Sequence, residues 1–301
     1  MSLTHFRSAD QPAPATPRVT IQTLQEKKSQ GRPIVALTAY DYATARLVDE
    51  AGVDVILVGD SLAMVVMGYD NTLPVTMDEM LLHTRAVRRA VKHAMVIADM
   101  PFGSYQVTTA EGVANAARFL KEAGAQAVKI EGGVSRIELV KRLTDAEIPV
   151  VAHIGLTPQS VHRMSGYRVQ GKSVAAIHHL VKDALALEAA GAFAVVLEGI
   201  PTEVAQRITA ALHIPAIGIG AGPHCDGQIL VLHDIINLSF SPPAKFVRRY
   251  GDVSALITDA VRSYRDDVEG RLFPSDEESY HLGKEALAAL LQEEGTARRK
   301  A

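Results

Sequence analysis

Gln126-Ala127-Val128-Lys129-Ile130-Glu131-Gly132-Gly133 sets two opposite charges, Lys129 and Glu131, two residues apart in an otherwise apolar run. Successive side chains of a strand point to opposite faces, so Lys129 and Glu131 share one face and Val128 and Ile130 the other. In the wall of a β/α barrel, aliphatic side chains meet the surrounding helices and polar ones near the strand end point into the mouth. With Val128 and Ile130 against helices, both charges point into a barrel.

Seven similar runs flank this one: Ile34 to Asp41, Val53 to Asp60, Met95 to Pro101, Pro149 to Leu156, Phe193 to Ile200, Pro215 to Gly222 and Ile229 to Asp234. The repeat of about 28 residues is near the roughly 31 of a βα unit in an eightfold barrel. Between most runs the period changes to 3.6, as in Met77, Met80, Leu81, Thr84, Val87 and Val91, or Val113, Ala116, Ala117, Leu120 and Ala123. Thr76 with Glu79 and Thr108 with Glu111 have capping-box spacing, and Thr157-Pro158 sets a cap before a first-turn proline. Only Pro223 to Gln228 separates the last two runs, so the helix between them is missing or very short. A doubly wound sheet competes, but Thr38-Ala39-Tyr40-Asp41 after the first run lacks its glycine fingerprint.

A chain of 301 residues accommodates one such barrel. Its 48% apolar and 22% charged residues exclude disorder, collagen and coiled coil as the main architecture. With 31 Lys plus Arg against 34 Asp plus Glu, no basic block and no Trp, the composition argues against a nucleic-acid or membrane-surface binder. Cys225 is the single cysteine, so a bound metal must rely on Asp, Glu or His, which favours a hard cation. Residues 1–18 lack an apolar export segment and read as a disordered leader. The longest stretch without charged side chains, Ile208 to Cys225, is broken by proline and glycine, so no transmembrane helix is expected. The expected organisation is a leader over 1–18, a catalytic barrel over 19–270, and a tail or packing arm over 271–301 with a helix at Ala286 to Leu291. A cytoplasmic enzyme or binding protein is the class this composition suggests.

The strand ends are acidic: Asp41, Asp60, Asp99, Glu131, Glu198 and Asp234 fall at or near the ends of apolar runs, with Lys129 and His153 beside them. Each buried charge costs several kcal/mol unless paired or bound to a cation, roughly the penalty of desolvating an ion. A divalent cation such as Mg²⁺ accounts for several at once, and Asp60 and Asp99 would be neighbours on sequential strands. For any single aspartate, helix capping or bonding to loop amides is the competing reading. Glu198 reads as a general base whose pKa burial would raise, or as a buried glutamate bonded to arginine or backbone. Lys129 suits a substrate carboxylate, a Schiff base or pairing with Glu131; His153 suits a ligand oxygen or a satisfied core position.

Longer motifs add a resemblance. They include Thr38-Ala39-Tyr40-Asp41, Val58-Gly59-Asp60-Ser61, Thr72-Leu73-Pro74-Val75-Thr76, Val128-Lys129-Ile130-Glu131-Gly132-Gly133 and His153-Ile154-Gly155-Leu156-Thr157-Pro158-Gln159-Ser160. Tyr167-Arg168-Val169-Gln170-Gly171, Asp183 to Glu188, and Gly218-Ile219-Gly220-Ala221-Gly222 followed by Asp226-Gly227-Gln228 continue the series. In this order they resemble the ketopantoate hydroxymethyltransferase family over roughly Val19 to Gly270.

The resemblance implies a (β/α)8 TIM barrel of the phosphoenolpyruvate/pyruvate type. It implies a metal at Asp60 and Asp99 with Glu131 nearby, a 2-oxo acid held by Asp60, Ser61, Asp99 and Lys129 near His153, and Glu198 as proton acceptor. The implied reaction moves a hydroxymethyl group from 5,10-methylenetetrahydrofolate to 3-methyl-2-oxobutanoate through a metal-stabilised enolate, giving 2-dehydropantoate in pantothenate and coenzyme A biosynthesis. Mg²⁺ or a similar cation, a cytoplasmic setting and a homo-oligomer, commonly a decamer, go with it. Asn237 stands where the family usually has glycine, and Asn237 to Ala244 departs from its pattern. Other readings are a different metal-dependent 2-oxo-acid lyase or mutase, a Schiff-base aldolase using Lys129, and a non-catalytic binding barrel.

Overall fold

The computed structural model describes residues 17–298, so the leader expected over 1–18 lies outside the described residues except for Pro17 and Arg18. The chain divides into two units after Gly251, ahead of the boundary at 270 read from sequence. The first unit runs α1 (Ile21–Ser29), β1 (Ile34–Thr38), α2 (Tyr42–Glu50), β2 (Val55–Val58), α3 (Leu62–Val65), α4 (Met77–Ala90), β3 (Met95–Asp99), α5 (Thr109–Lys121) and β4 (Ala127–Glu131). It continues with α6 (Ile137–Asp145), β5 (Val150–Gly155), α7 (Val174–Ala189), β6 (Ala194–Glu198), α8 (Thr202–Ala211), β7 (Ala216–Ile219), β8 (Gly227–Leu230) and α9 (Leu232–Ile235).

All eight strands pair in parallel in chain order, and β8 closes on β1. The expected eightfold barrel is therefore present. No helix separates β7 from β8, as the short connection requires. The eighth strand, however, starts at Gly227 rather than Ile229, and Asp234 sits in α9 instead of ending a strand. The shift comes from Gly227, which pairs with Ile34; a Cβ there would meet the Ile34 carbonyl oxygen at 2.4 Å. A glycine chosen for close backbone approach carries no apolar signal, so the sequence pattern begins too late.

Strand alternation divides the core into two layers. Ile56, Val58, Val96, Ala98, Val128, Ile130, Ala152, Val195 and Leu197 pack outward against the helices. Val55, Leu57, Met95, Ile97, Ala127, Val151, Val196 and Ile217 fill the barrel interior, joined by Leu24 of α1. α1 is fastened there by ion pairs from Lys27 to Asp54 and from Lys28 to Asp226, the latter at 2.7 Å. Below Lys129 the interior holds a small apolar cavity of about 30 Å³. Such a filled floor leaves the opposite end, where the strands terminate, as the place for chemistry.

Local signals explain most helix starts. Thr76 and Glu79 form the reciprocal capping box at α4, and Thr108 accepts from the Glu111 amide at α5. Thr157 makes no such cap: Pro158–Ser160 forms a single 3₁₀ turn, and the Thr157 hydroxyl turns to Met164 Sδ at 4.0 Å. Asn237 has φ 56, a left-handed conformation that asparagine tolerates better than most residues.

The second unit contains α10 (Val253–Glu269) and α11 (Lys284–Arg298). Asp252 caps α10 by accepting from the Ala255 amide. The short helix expected at Ala286 to Leu291 is part of the longer α11. Among the described residues, no helix is long and apolar enough to cross a membrane.

Candidate active site

The interior layer continues upward into polar residues. On β3, β4, β5 and β6, alternation from Ile97, Ala127, Val151 and Val196 brings Asp99, Lys129, Glu131, His153 and Glu198 inward. Asp99 pairs with Lys129 across β3 and β4, and Glu131 with His153 across β4 and β5. Asp60 and Ser61 follow β2 directly, and the Asp60 amide donates to Asp99 Oδ2 at 3.0 Å. All seven residues expected to serve the site lie around this one mouth.

Their electrostatics are strongly coupled. Lys129 Nζ donates to Asp99 Oδ1 and lies 4.0 Å from Glu131. Burial favours loss of its proton, but Asp99, Glu131 and Asp60 outweigh burial and hold the Lys129 pKa above the ordinary lysine value. The Asp60 carboxyl is pushed up to about 8 by burial and by the neighbouring Asp99 and Glu131. Burial also raises Asp99, against the pull of Lys129. Glu131 moves the other way: burial is outweighed by His153, Lys129 and the Gln159 amide, which lower its pKa.

His153 stands between two carboxylates, with Nδ1 3.4 Å from Glu131 and Nε2 3.2 Å from Glu198. Burial and Lys129 disfavour its charge, yet the two glutamates hold it up to about 9. Neither contact has hydrogen-bond geometry, so both ring nitrogens and Glu131 Oε1 are without a protein hydrogen-bond partner. Glu198 is the more open carboxylate, its side chain 15% exposed against 3% for Asp99. Its neighbour is thus a histidine, not the arginine or backbone group of the alternative reading.

Two other strand-end acids do not belong to this set. Asp41 is the exposed N-cap of α2, accepting from the Thr44 amide at 2.9 Å. Asp234 lies in α9, where burial raises its pKa. For both, local sequence alone does not separate a helix-associated aspartate from one lining the mouth.

The donor set fits a divalent cation of the oxygen-preferring kind. Among the described residues, the cations paired with Asp99, Glu131 and Glu198 are Lys129 and His153, and with Asp60 the four carboxylates outnumber them, an excess of negative charge that a divalent ion would neutralise. Glu131 Oε1, buried without a hydrogen bond, is a further oxygen able to act as ligand. No ready-made cage of three or more His, Cys, Asp or Glu exists among the described residues. In Mg²⁺ chemistry one or two carboxylates act together with water and substrate oxygens.

Sequence comparison decides the family. The profile described as ketopantoate hydroxymethyltransferase matches residues 18–276. The chain belongs to the ketopantoate hydroxymethyltransferase family. It is therefore an enzyme. Two relatives named 3-methyl-2-oxobutanoate hydroxymethyltransferase come from Koribacter versatilis, 67% identical over 91% of this chain and 92% of the relative, and Geobacter sulfurreducens, 56% identical over 87% and 98%. Among solved structures, phosphoenolpyruvate phosphomutase from Streptomyces platensis superposes with TM-score 0.58 at 16% identity, covering 93% of this chain and 96% of that one. 2,3-dimethylmalate lyase, a member of the PEP mutase/isocitrate lyase superfamily, does so with TM-score 0.52 at 18% identity, covering 93% and 97%. These likenesses show that the barrel fold is shared with those enzymes.

Within this hydroxymethyltransferase-family barrel, three residues that were not singled out from sequence join the site. Tyr40, fully buried, shares a 2.8 Å hydrogen bond with Ser61 Oγ; burial raises its pKa, so it stays a phenol. Gln159 Nε2 donates to Asp60 Oδ2 at 2.9 Å, and the Gln159 amide donates to Glu131 Oε2 at 3.0 Å. Tyr105 donates from its hydroxyl to Gln159 Oε1 at 2.6 Å and accepts there from the Glu131 amide. Tyr40 and Gln159 occur inside family motifs, which was the available signal. Their contacts span long sequence separations and leave no local pattern.

Proposed function

We propose that the barrel transfers a hydroxymethyl group from 5,10-methylenetetrahydrofolate to 3-methyl-2-oxobutanoate, giving 2-dehydropantoate on the way to pantothenate and coenzyme A. The observation that carries this reading is the division of labour at the mouth: a buried Asp60–Asp99–Lys129–Glu131 group lies beside a more open carboxylate, Glu198, in a chain of this family. The first group suits the carboxylate and keto oxygens of a 2-oxo acid. The second is accessible for proton transfer.

Lys129 contributes a fixed positive charge and, with Ser61, orients the acid, while Tyr40 fixes the Ser61 hydroxyl. Asp60 and Asp99, with Glu131 near them, would hold Mg²⁺ or a similar ion, which supplies stabilisation of the negative charge that develops on the keto oxygen. Glu198 takes the C3 proton, with His153 providing positive charge beside it. The methylene carbon exchanges its bonds to folate N5 and N10 for bonds to C3 and to a hydroxyl oxygen from water, and the two nitrogens take up the C3 proton and one water proton as tetrahydrofolate leaves. A cytoplasmic homo-oligomer, decameric by family resemblance, completes the proposal.

Proton NMR of 3-methyl-2-oxobutanoate with protein, Mg²⁺ and 5,10-methylenetetrahydrofolate, repeated with EDTA, tests the reading. The expected result is a new hydroxymethyl signal that disappears with chelator. Exchange of the C3 proton in D₂O without transfer would overturn the folate assignment. Neither transfer nor exchange by folded protein would overturn the proposed chemistry.

A further inference from the structure

We infer that Gln159 is the positioning residue that presets Asp60 and Glu131 for a divalent cation, an inference that rests on the cation reading above. Gln159 lies on the 3₁₀ turn after β5, only 6% exposed. It reaches Asp60 across 99 sequence positions and holds Glu131 through its own backbone. One residue thereby fixes an oxygen on each of two carboxylates, one just past β2 and one at the end of β4.

The hydrogen bonds dictate which end of its amide faces Asp60. Gln106 uses Oε1 to accept from the Gly103 and Tyr105 amides, so its Nε2 donates to Gln159 Oε1 at 3.1 Å. The Tyr105 hydroxyl accepts from the Glu131 amide, so its own proton goes to the same Gln159 oxygen. Gln159 Nε2 must then be the end that donates to Asp60 Oδ2 and to the Met100 carbonyl, both at 2.9 Å. This is a fully engaged side chain, and a flipped amide would oppose two donors with a donor.

The arrangement is directional for the carboxylates as well. Asp60 is tied through Oδ2 and Glu131 through Oε2, while Glu131 Oε1 keeps no hydrogen-bond partner. Each carboxylate is rotated with a defined oxygen turned back toward Gln159. Outer groups that orient ligands in this way typically contribute about 10–100-fold to metal affinity.

Mn²⁺ binding to the full chain, read by electron paramagnetic resonance of the free ion without substrate, tests the inference. Gln159→Met retains much of the volume and removes the donor; its Kd for Mn²⁺ should rise by about 10–100-fold. In turnover the cation concentration needed for half-maximal rate should rise similarly. Tyr105→Phe removes the shortest hydrogen bond to the Gln159 amide, together with the acceptor of the Glu131 amide, while keeping both carboxylates and the Gln159 donor. Its Kd should rise by about 3–10-fold, a smaller share of the same effect. A folded Gln159→Met with a lower melting temperature and unchanged Kd would make the role merely structural and overturn the inference. If that variant does not fold, an unchanged Kd in Tyr105→Phe overturns it. Absence of Mn²⁺ binding by the unsubstituted protein would overturn the cation reading and this inference together, whereas binding lost only in the variants supports both.

Discussion

Glu198 Oε2 lies 3.2 Å from His153 Nε2, the two side chains reaching inward from adjacent strands of the barrel. His153 is held up to about 9 between Glu198 and Glu131, so the imidazole is cationic near neutral pH. A carboxylate that is open to a ligand on one side and faces a fixed positive charge on the other suits a proton acceptor. Catalytic contacts are often long before substrate arrives, which fits the geometry of this pair.

Glu198→Gln keeps the shape of the side chain and removes its capacity to take a proton. Exchange of the 3-methyl-2-oxobutanoate C3 proton in D₂O should fall by about 10²–10⁴-fold, the usual contribution of a positioned base. Substrate affinity, measured by calorimetry, should change little because Lys129 and Ser61 remain. Exchange at the unsubstituted rate would remove Glu198 as the base.

Cation affinity should rise with pH. Asp60, pushed up to about 8, carries a proton at neutral pH in the cation-free protein, and ligation must displace it. Affinity should therefore grow up to about tenfold per pH unit below 8 and level above it. Calorimetry at pH 7 in buffers of different ionisation enthalpy should show proton release. A pH-independent affinity between 6 and 9 would contradict the assignment of Asp60 as a ligand.

The same shifts predict how the cation-free fold responds to alkali. Asp60 and His153 both have folded pKa values above their ordinary values of 3.8 and 6.5. Raised values confer stability at low pH that is lost as pH rises, for Asp60 up to about 8 and for His153 from 6.5 up to about 9. The melting temperature without divalent cation should thus fall from pH 6.5 to 9, and Mg²⁺ should restore more of it at the upper end. Scanning calorimetry with EDTA and with Mg²⁺ gives the comparison; a melting temperature that rises over this range in EDTA would refute the coupling.

Lys129 should not form a covalent adduct. Schiff-base lysines need a neutral amine, whereas Asp99, Glu131 and Asp60 hold Lys129 as an ammonium despite its burial. Borohydride added with 3-methyl-2-oxobutanoate should leave the mass of the protein unchanged. A reduced adduct on the peptide containing Lys129 would reinstate the aldolase reading.

How much of this was legible in the sequence depends on the range of each interaction. Strand alternation is a local property, so the sequence gives Lys129 and Glu131 one inward face, and β4 retains it. Asp60 and Asp99 are legible as neighbours because sequential parallel strands lie side by side in this topology. Asp41 and Asp234 looked equivalent to them, since an aspartate near a strand end has the same local pattern whether it caps or accompanies a helix or lines the mouth. Gln159 was visible only as a motif residue: its partner Asp60 is set by closure of the barrel. The start of β8 was hidden for the opposite reason, because backbone approach demanded a residue with no side chain.

Gly155 connects the fold to the proton acceptor and yields the final prediction. It ends β5 at φ 96, and a Cβ there would lie 2.3 Å from the Glu198 carbonyl oxygen and 2.8 Å from Ile200 Cγ2. The next amide, Leu156, donates to that same carbonyl at 2.8 Å, so the approach of the two strands is fixed by hydrogen bonding. Gly155→Ala should impose left-handed strain of roughly 1–2 kcal/mol and overpacking of about 1–3 kcal/mol, for a combined loss of about 2–5 kcal/mol. Because the clash is with the backbone of Glu198 itself, relief should move its carboxylate away from His153. A displacement of about 1 Å can cost about 10²-fold in rate, so kcat should fall more than stability alone requires. Gly31→Ala supplies the comparison: Gly31 also has positive φ, at 65, but a Cβ there meets nothing within 4 Å. It should lose stability with kcat intact. Equal kcat values for folded Gly155→Ala and Gly31→Ala would show that strand spacing does not position Glu198.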